Sequence, residues 1–159
     1  MRRTCLRRSS MTRRIWSTIF WPIVGGRFSK KTTVASFVAD ASAILALIKR
    51  ETGWERVAAV TGVSVISTVN LCEVLAKLVL SGASLQTAQA SLSVLGLTVV
   101  DFTEALAVQT AALALSAVRA LSLGDRACLA LAAERGLPAL TADRAWRDID
   151  LGVEVILIR

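Results

Sequence analysis

The chain has 159 residues, of which 54% are hydrophobic, so it is long enough to bury one sizeable core. It has no histidine, which excludes Ser-His-Asp and Cys-His nucleophiles, and its three cysteines form no CxxC pair, which argues against a disulfide framework or a zinc ribbon. The formal net charge is +7, but this charge is unevenly distributed along the chain.

Residues 1–33 form a basic segment that differs from the rest of the chain. They carry nine Lys and Arg and no acidic residue, whereas residues 34–159 contain the other ten Lys and Arg and all twelve Asp and Glu, a net charge of −2. The apolar stretch 15–26 is too short to span a bilayer, so we expect no stable membrane insertion. We expect residues 1–33 to be a disordered basic extension. A membrane-surface anchor and upstream sequence outside the native protein are open alternatives.

Strand-like and helix-like segments alternate from residue 34 onward. In chain order we predict a strand at 36–39, helices at 44–48 and 53–60, a strand at 63–66, helices at 69–80 and 85–95, a strand at 97–100, helices at 104–121 and 124–134, and strands at 137–141 and 153–158. Strands separated by helices indicate βαβ units. The sequence therefore predicts one α/β domain, residues 34–159, with a central parallel sheet between two layers of helices.

Four acidic residues fall where this arrangement places the carboxyl ends of strands or the helices that follow them. These residues are Asp40, Glu73, Asp125 and Asp143. In open parallel sheets, ligands bind at this edge. Four carboxylates crowded together repel one another unless a cation is present, and a hard divalent ion with oxygen ligands is the natural counterpart. The pattern predicts a metal site at the sheet edge.

Each of these acids also has a purely structural interpretation. Asp40, Asp125 and Asp143 are placed to cap helices or to complement a helix dipole, and Ser122 with Asp125 has the spacing of a capping box. The shared location of the four acids favours the metal site over independent structural roles.

Glu73 belongs to a polar stripe with Asn70 and Lys77 on one face of the predicted helix 69–80. The spacing of Glu73 and Lys77 is that of an i,i+4 surface ion pair, which is one interpretation. The other is a metal site in which the Asn70 amide supports the ligands. The sequence leaves both open.

Two further acids are expected to be structural. Asp101 ends a strand and Glu104 begins a helix, so that Asp101 or Thr103 is the expected cap. A phosphoryl-transfer or receiver-type domain is disfavoured, because neither a GxxxxGK[ST] loop nor a Lys after a late strand occurs.

Four short segments together resemble the PIN-domain ribonucleases, specifically the VapC-type toxins of bacterial toxin–antitoxin systems. The segments are Phe37-Val38-Ala39-Asp40-Ala41-Ser42-Ala43, Val69-Asn70-Leu71-Cys72-Glu73-Val74, Leu121-Ser122-Leu123-Gly124-Asp125-Arg126-Ala127-Cys128-Leu129-Ala130, and Leu140-Thr141-Ala142-Asp143-Arg144-Ala145-Trp146. The resemblance covers essentially all of residues 34–159 and none of residues 1–33.

This resemblance implies a PIN-like three-layer α/β/α fold and an endoribonuclease that depends on Mg²⁺ or Mn²⁺, and the unpaired cysteines fit a cytoplasmic location. It also implies a homodimer that is inhibited by a VapB-type antitoxin. The metal-binding and catalytic acids would be Asp40, Glu73, Asp125 and Asp143, supported by Ser42, Asn70 and Thr141. Arg126 and Arg144 would contact RNA phosphates or pair with the neighbouring acid. The alternative function is a non-catalytic PIN-fold module that binds RNA or protein.

Overall fold

The computed structural model describes residues 35–115, 121–148 and 150–159. Its strands are β1 (Phe37–Ala39), β2 (Ser64–Ser67), β3 (Thr98–Val100), β4 (Ala139–Thr141) and β5 (Val155–Leu157). Its α-helices are α1 (Ala41–Lys49), α2 (Trp54–Ala58), α3 (Thr68–Leu80), α4 (Leu85–Ser93), α5 (Glu104–Ala112) and α6 (Leu123–Arg135). Short 3₁₀ turns occupy Thr61–Val63, Leu113–Leu115 and Arg144–Asp148. The expectations for residues 1–33 lie outside the described residues.

The five strands form one parallel sheet in the order β3-β2-β1-β4-β5. The chain leaves β1 towards β2 and β3 on one side and later returns to β4 and β5 on the other. The strand order therefore reverses at β1, and β1 and β4 are adjacent there, with Ala39 opposite Leu140. In open α/β sheets the crevice at such a reversal is the usual ligand site. The predicted fold class, a parallel sheet between helical layers, is confirmed.

The core lies on both faces of the sheet, because successive side chains of a strand point to opposite sides. Ala39 at the end of β1 belongs to a buried cluster that includes Ile44 of α1, Ile66 of β2 and Val74 of α3. Helix α6 packs against β1, β2 and β4 and is buried along residues 127–132. This apolar packing fixes the first turns of α1, α3 and α6 relative to the ends of the strands.

The helix predicted at 104–121 differs from the structure. Helix α5 ends at Ala112 and continues as the 3₁₀ turn Leu113–Leu115, while residues 116–120 lie outside the described residues. Leu121 is not helical. A tightened 3₁₀ turn is a common way for a helix to end, and the Ala- and Leu-rich sequence here contains no Gly or Pro that marks the end beforehand.

Residues 33–159 form one compact unit. In the part of the chain that the structure describes, no helix combines the length and the apolar character needed to cross a membrane.

Candidate functional site at the carboxyl edge of the sheet

Asp40 lies at the centre of the site, directly after β1. It is the N-cap of α1, with its Oδ2 accepting a hydrogen bond from the Ser42 backbone N–H at 3.1 Å. The same oxygen accepts hydrogen bonds from the Ser42 hydroxyl at 2.5 Å and the Thr141 hydroxyl at 3.0 Å. Oδ1 accepts a hydrogen bond from Asn70 Nδ2 at 3.2 Å. The capping interpretation of Asp40 is thus correct, but the cap accounts for only one of four bonds.

Asp40 is only 3% exposed, and in the described part of the chain no Lys or Arg forms an ion pair with it. Burial raises the pKa of this carboxyl above its ordinary value, and the negative charge of Asp125 raises it further. The hydrogen bonds from Ser42 and Thr141 oppose this effect by lowering the pKa. A buried carboxylate held by neutral donors is an environment in which a bound cation would be strongly favoured.

Asn70 connects three elements of the site and is fully buried. Its Nδ2 donates both to Asp40 Oδ1 and to the backbone carbonyl of Gly124, the latter at 3.1 Å. Its Oδ1 accepts a hydrogen bond from the Ser67 hydroxyl at 2.6 Å, which fixes the orientation of the amide. Asn70 therefore holds the first turn of α6 against the end of β1.

Thr141 and Ser42 join the ends of β4 and β1. The Ser42 hydroxyl accepts a hydrogen bond from the Ala142 backbone N–H at 2.9 Å, and Thr141 Oγ1 accepts one from the Asp143 N–H at 3.1 Å. Both hydroxyls also donate to Asp40. The resemblance gave these two residues supporting roles, and their contacts are those of side chains that orient the central carboxylate.

The Asp143 side chain is exposed and turned towards its own loop, where its Oδ1 accepts a hydrogen bond from the Ala145 N–H at 2.9 Å. The 3₁₀ turn that follows is anchored by the fully buried Trp146. Asp143 therefore lies two residues from Thr141, and one of its carboxylate oxygens is engaged by its own loop.

Asp125 opens α6 as part of a complete capping box with Ser122. The Ser122 N–H donates to Asp125 Oδ2 at 2.7 Å, and the Asp125 N–H donates to Ser122 Oγ at 3.1 Å. The predicted capping box is confirmed. Asp125 is nevertheless close enough to Asp40 for its charge to raise the pKa of that carboxyl, so it belongs to the same cluster.

Glu73 forms the i,i+4 ion pair with Lys77 that its spacing predicted, with 2.6 Å between Oε1 and Nζ. The other carboxylate oxygen, Oε2, lies over Gly124, so closely that a Cβ atom at this position would collide with it. The ion pair and the position beside the cluster therefore coexist. The hydrogen bond to Glu73 raises the pKa of the Lys77 ammonium, partial burial lowers it, and the charges of Glu73, Asp40 and Asp125 raise it further.

The acidic side chains suit a hard metal ion, because every candidate ligand atom is an oxygen. The most buried of these acids, Asp40, has no cationic partner among the described residues. Their side-chain orientations are those of separate contacts: Glu73 to Lys77, Asp125 to its cap and Asp143 to its loop. Among the described residues, no three acidic or cysteine side chains converge as a ready-made metal-binding group. The metal ligands remain a prediction.

The two arginines beside these acids differ from each other. Arg126 is half-buried and donates through Nη1 to the Leu121 carbonyl at 2.8 Å, while its buried Nε has no partner. Arg144 is exposed. Neither forms an ion pair with the acid beside it, so the local ion-pair alternative is wrong for both.

The cap of α5 was predicted to be Asp101 or Thr103. Thr103 is the cap, and Asp101 is exposed.

The sequence interpretation missed two residues of the site. Ser67 is fully buried, and its hydroxyl caps α3 as well as orienting Asn70. A Ser between a strand and a helix is a recognisable N-cap, but its second bond depends on the tertiary structure. Gly124 provides space for Glu73, and the absence of a side chain gives no pattern in the sequence.

The fold and this edge define a parallel α/β protein with acidic side chains at the reversal of its strand order, where open parallel sheets bind ligands. The acids Asp40, Glu73 and Asp125 are together called the acidic crevice below. The family model of the PIN domain matches residues 37–151. The chain belongs to the PIN domain family. No curated protein matches the chain.

Several solved structures share the fold. VapBC2 from Rickettsia felis, bound to a DNA fragment from its promoter, superposes with a TM-score of 0.62 at 13% identity, covering 76% of this chain and 97% of that chain. DNA-bound VapBC from Salmonella typhimurium gives a TM-score of 0.59 at 23% identity, covering 78% of this chain and 98% of that chain. VapC20 from Mycobacterium tuberculosis, a sarcin-ricin loop cleaving toxin, gives a TM-score of 0.57 at 22% identity, covering 67% of this chain and 88% of that chain.

Proposed function

We propose that this protein is a metal-dependent endoribonuclease and the toxin of a toxin–antitoxin pair. The observation that carries the proposal is the Asp40 carboxylate, which is buried at the sheet reversal, held only by neutral donors and faced by the charge of Asp125. Such a carboxylate is stabilised when a cation binds beside it. The PIN fold and the solved structures of toxins with this fold support the assignment to RNA cleavage.

In the proposed reaction, Asp40 is the central ligand for Mg²⁺ or Mn²⁺, and Asp125 and Asp143 bind the ion directly or through water. Glu73 either completes the ligand set or orients the attacking water. A bound divalent ion lowers the pKa of coordinated water and neutralises charge that develops on the phosphate. Ser42, Asn70 and Thr141 hold Asp40 in place through the bonds described above. Asp143 is the ligand that must reorient, and its side chain is exposed.

Phosphate contacts are proposed for Arg144 because it is exposed and begins the 3₁₀ turn after β4, one residue from Asp143. Arg126 is less suited to this role, since its guanidinium already donates to the Leu121 carbonyl. In the proposed complex with RNA, the main role of Arg126 is to hold the start of α6.

The experiment that tests the proposed activity is incubation of the purified protein with total RNA in Mg²⁺, in Mn²⁺ and in excess EDTA. We expect discrete fragments with either ion and none in EDTA, because the carboxylates need a cation to activate water. Cleavage that persists in EDTA would contradict the metal mechanism. Binding of RNA without cleavage under all three conditions would instead support the non-catalytic PIN-fold module.

The proposed partner is a VapB-type antitoxin that places a basic side chain in the acidic crevice. An Arg guanidinium pairs bidentately with clustered carboxylates and would take the place of the ion. Several structures with this fold are toxin–antitoxin complexes, which supports the proposal. Co-expression with the antitoxin should relieve growth arrest and give a complex that copurifies; failure of both would count against this partner.

We also propose that the protein is a cytoplasmic homodimer. Large apolar side chains are exposed on the described surface, among them Leu80 at 86%, Val94 at 81% and Leu115 at 88%. Contiguous apolar patches mark contact surfaces, whereas single exposed apolar residues are normal, so the dimer proposal rests mainly on the resemblance to VapC-type toxins. The mass in solution, measured by light scattering after gel filtration, would distinguish a dimer from a monomer.

A further inference from the structure

Lys77 is the one cation in the described structure that contacts the acidic crevice. Its Nζ lies 2.6 Å from Glu73 Oε1, and its side chain is half-exposed. Its ammonium also interacts electrostatically with Asp40 and Asp125. Lys77 therefore contacts one carboxylate of the cluster, that of Glu73, and its charge also acts at longer range on Asp40 and Asp125.

The two oxygens of Glu73 have different surroundings. Oε1 is bound by Lys77, whereas Oε2 lies over Gly124, in space that is open because residue 124 has no Cβ. Asn70 Nδ2 donates to the Gly124 carbonyl and to Asp40 Oδ1, so this space adjoins the central carboxylate. Lys77 therefore holds Glu73 with one oxygen directed towards the cluster.

We propose that Lys77 is the built-in counter-ion of the crevice, a positioning residue that holds Glu73 in the metal-free protein and competes with the divalent ion. The ammonium and the ion would be stabilised by the same carboxylates, and two cations in that place repel each other. This inference rests on the proposed function, because the ion is the one assigned to the proposed nuclease.

Loss of an ordinary supporting residue would weaken cation binding, whereas loss of the Lys77 charge should strengthen it. Removing the Lys77 charge should make divalent ions bind more tightly, by about three- to tenfold at low ionic strength, because a nearby like charge is removed. The effect should shrink as salt is added, since screening weakens the repulsion. Arg at this position keeps the charge and should leave the affinity close to that of the wild type.

The test is calorimetric titration of the full-length protein with MnCl₂ and MgCl₂, separately, at low and high ionic strength. The variants are Lys77→Gln and Lys77→Met, which both remove the charge, and Lys77→Arg, which keeps it. Lys49→Gln is the matched control, because Lys49 is in the last turn of α1, at the end opposite Asp40. We expect tighter binding in the two neutral Lys77 variants and wild-type binding in the other two.

Equal or weaker binding of Mn²⁺ by both neutral Lys77 variants, with normal binding by the wild type, would overturn the inference and leave the proposed function standing. The same tightening in Lys49→Gln would also overturn it, since the effect would then be one of net charge. Absence of any divalent binding by the folded wild-type protein would overturn the metal mechanism and the inference with it. Circular dichroism of each variant establishes that it is folded.

Discussion

Asp40 is the residue on which the proposed chemistry depends most directly. We expect Asp40→Asn to lower RNA cleavage by at least about 100-fold, because the amide loses the charge that binds and orients the cation. The fold should persist, since the Asn carbonyl oxygen still accepts the capping bond from Ser42. Initial cleavage rates of a labelled RNA, with a thermal melt of each protein, measure both effects.

The matched control for this change is Asp101→Asn. Asp101 also follows a strand at the same edge of the sheet, but its side chain is exposed and Thr103 caps the next helix. Its activity should therefore stay near that of the wild type. If Asp101→Asn abolishes cleavage and Asp40→Asn does not, the site is wrongly assigned.

The raised pKa of Asp40 gives the metal-free protein a pH dependence of known sign. Unfolded Asp40 ionises near its ordinary pKa of 3.8, whereas burial keeps the folded carboxyl protonated to higher pH. Stability of the wild type is therefore lost as pH rises from the unfolded pKa through the folded one. The free energy of unfolding of Asp40→Asn relative to wild type should increase as the pH rises above the ordinary Asp pKa of 3.8.

Urea unfolding of both proteins in EDTA at several pH values measures this difference. Ser42→Ala is a useful comparison, because it removes a hydroxyl bond that lowers the Asp40 pKa but keeps the carboxyl. Its own decline in stability should extend to higher pH than that of the wild type, because loss of this bond raises the folded Asp40 pKa further. A difference between Asp40→Asn and wild type that stays constant or falls with pH would show that Asp40 is not penalised by burial.

At the residue scale, the sequence located the central carboxylate because Asp40 follows an apolar strand and precedes a helix. Asn70 was found by a different signal, its place on the polar stripe of the predicted helix 69–80. For Glu73 and Lys77 the spacing allowed both an ion pair and a place beside the cluster, and the structure shows both. The orientation of Asp143 could not be foreseen, because it depends on the turn held by Trp146.

At the scale of elements, all five strands and the order of the long helices were predictable, because buried strands and Gly-terminated helices leave local patterns. Helix α6, for example, ends at Gly136 with a left-handed backbone, φ +61°, as its Gly signal indicated. The end of α5 was not predictable. The sequence continues as Ala and Leu through residue 115, and the packing of α5 against α6 is a tertiary effect.

Gly124, in the first turn of α6, allows a test of how closely this helix and α3 share the site. We expect Gly124→Ala to lower cleavage about tenfold or more, because the new methyl group displaces the Glu73 carboxylate that lies over it. Stability should be unchanged or higher, since Glu73 is a movable side chain and Ala favours a helix by roughly 1 kcal/mol over Gly. Cleavage rates and melting temperatures together separate the two effects.

Gly62→Ala is the control for this change, because a Cβ at Gly62 meets no atom within 4 Å. It should alter neither activity nor melting temperature by much. Full activity in Gly124→Ala would mean that the observed position of Glu73 is irrelevant to the reaction.

At the scale of the whole molecule, the charge of the chain and the charge of the domain have opposite signs. The net +7 comes from residues 1–33, and residues 34–159 carry −2, so the high isoelectric point says little about how the domain binds RNA. Electrostatic attraction of RNA to the crevice must come from the bound cation and a few placed residues such as Arg144. Affinity for RNA should therefore depend on the divalent ion more than on the basic segment.

The domain should fold and act without its basic segment. We expect a chain that begins at Thr33 to melt within about 5 °C of the full-length protein and to cleave RNA at a similar rate, since a loss of about 1 kcal/mol would already shift the melting temperature by a few degrees. The reason is that every residue of the described core and site lies between Phe37 and Ile158. A chain that begins at Ala41 is the control, because it lacks the central strand β1 together with Asp40 and should not fold. Melting curves and cleavage assays of the three proteins test this prediction, and an unfolded or inactive Thr33 chain would refute it. Loss of vesicle binding on truncation would support a membrane-surface anchor in residues 1–33.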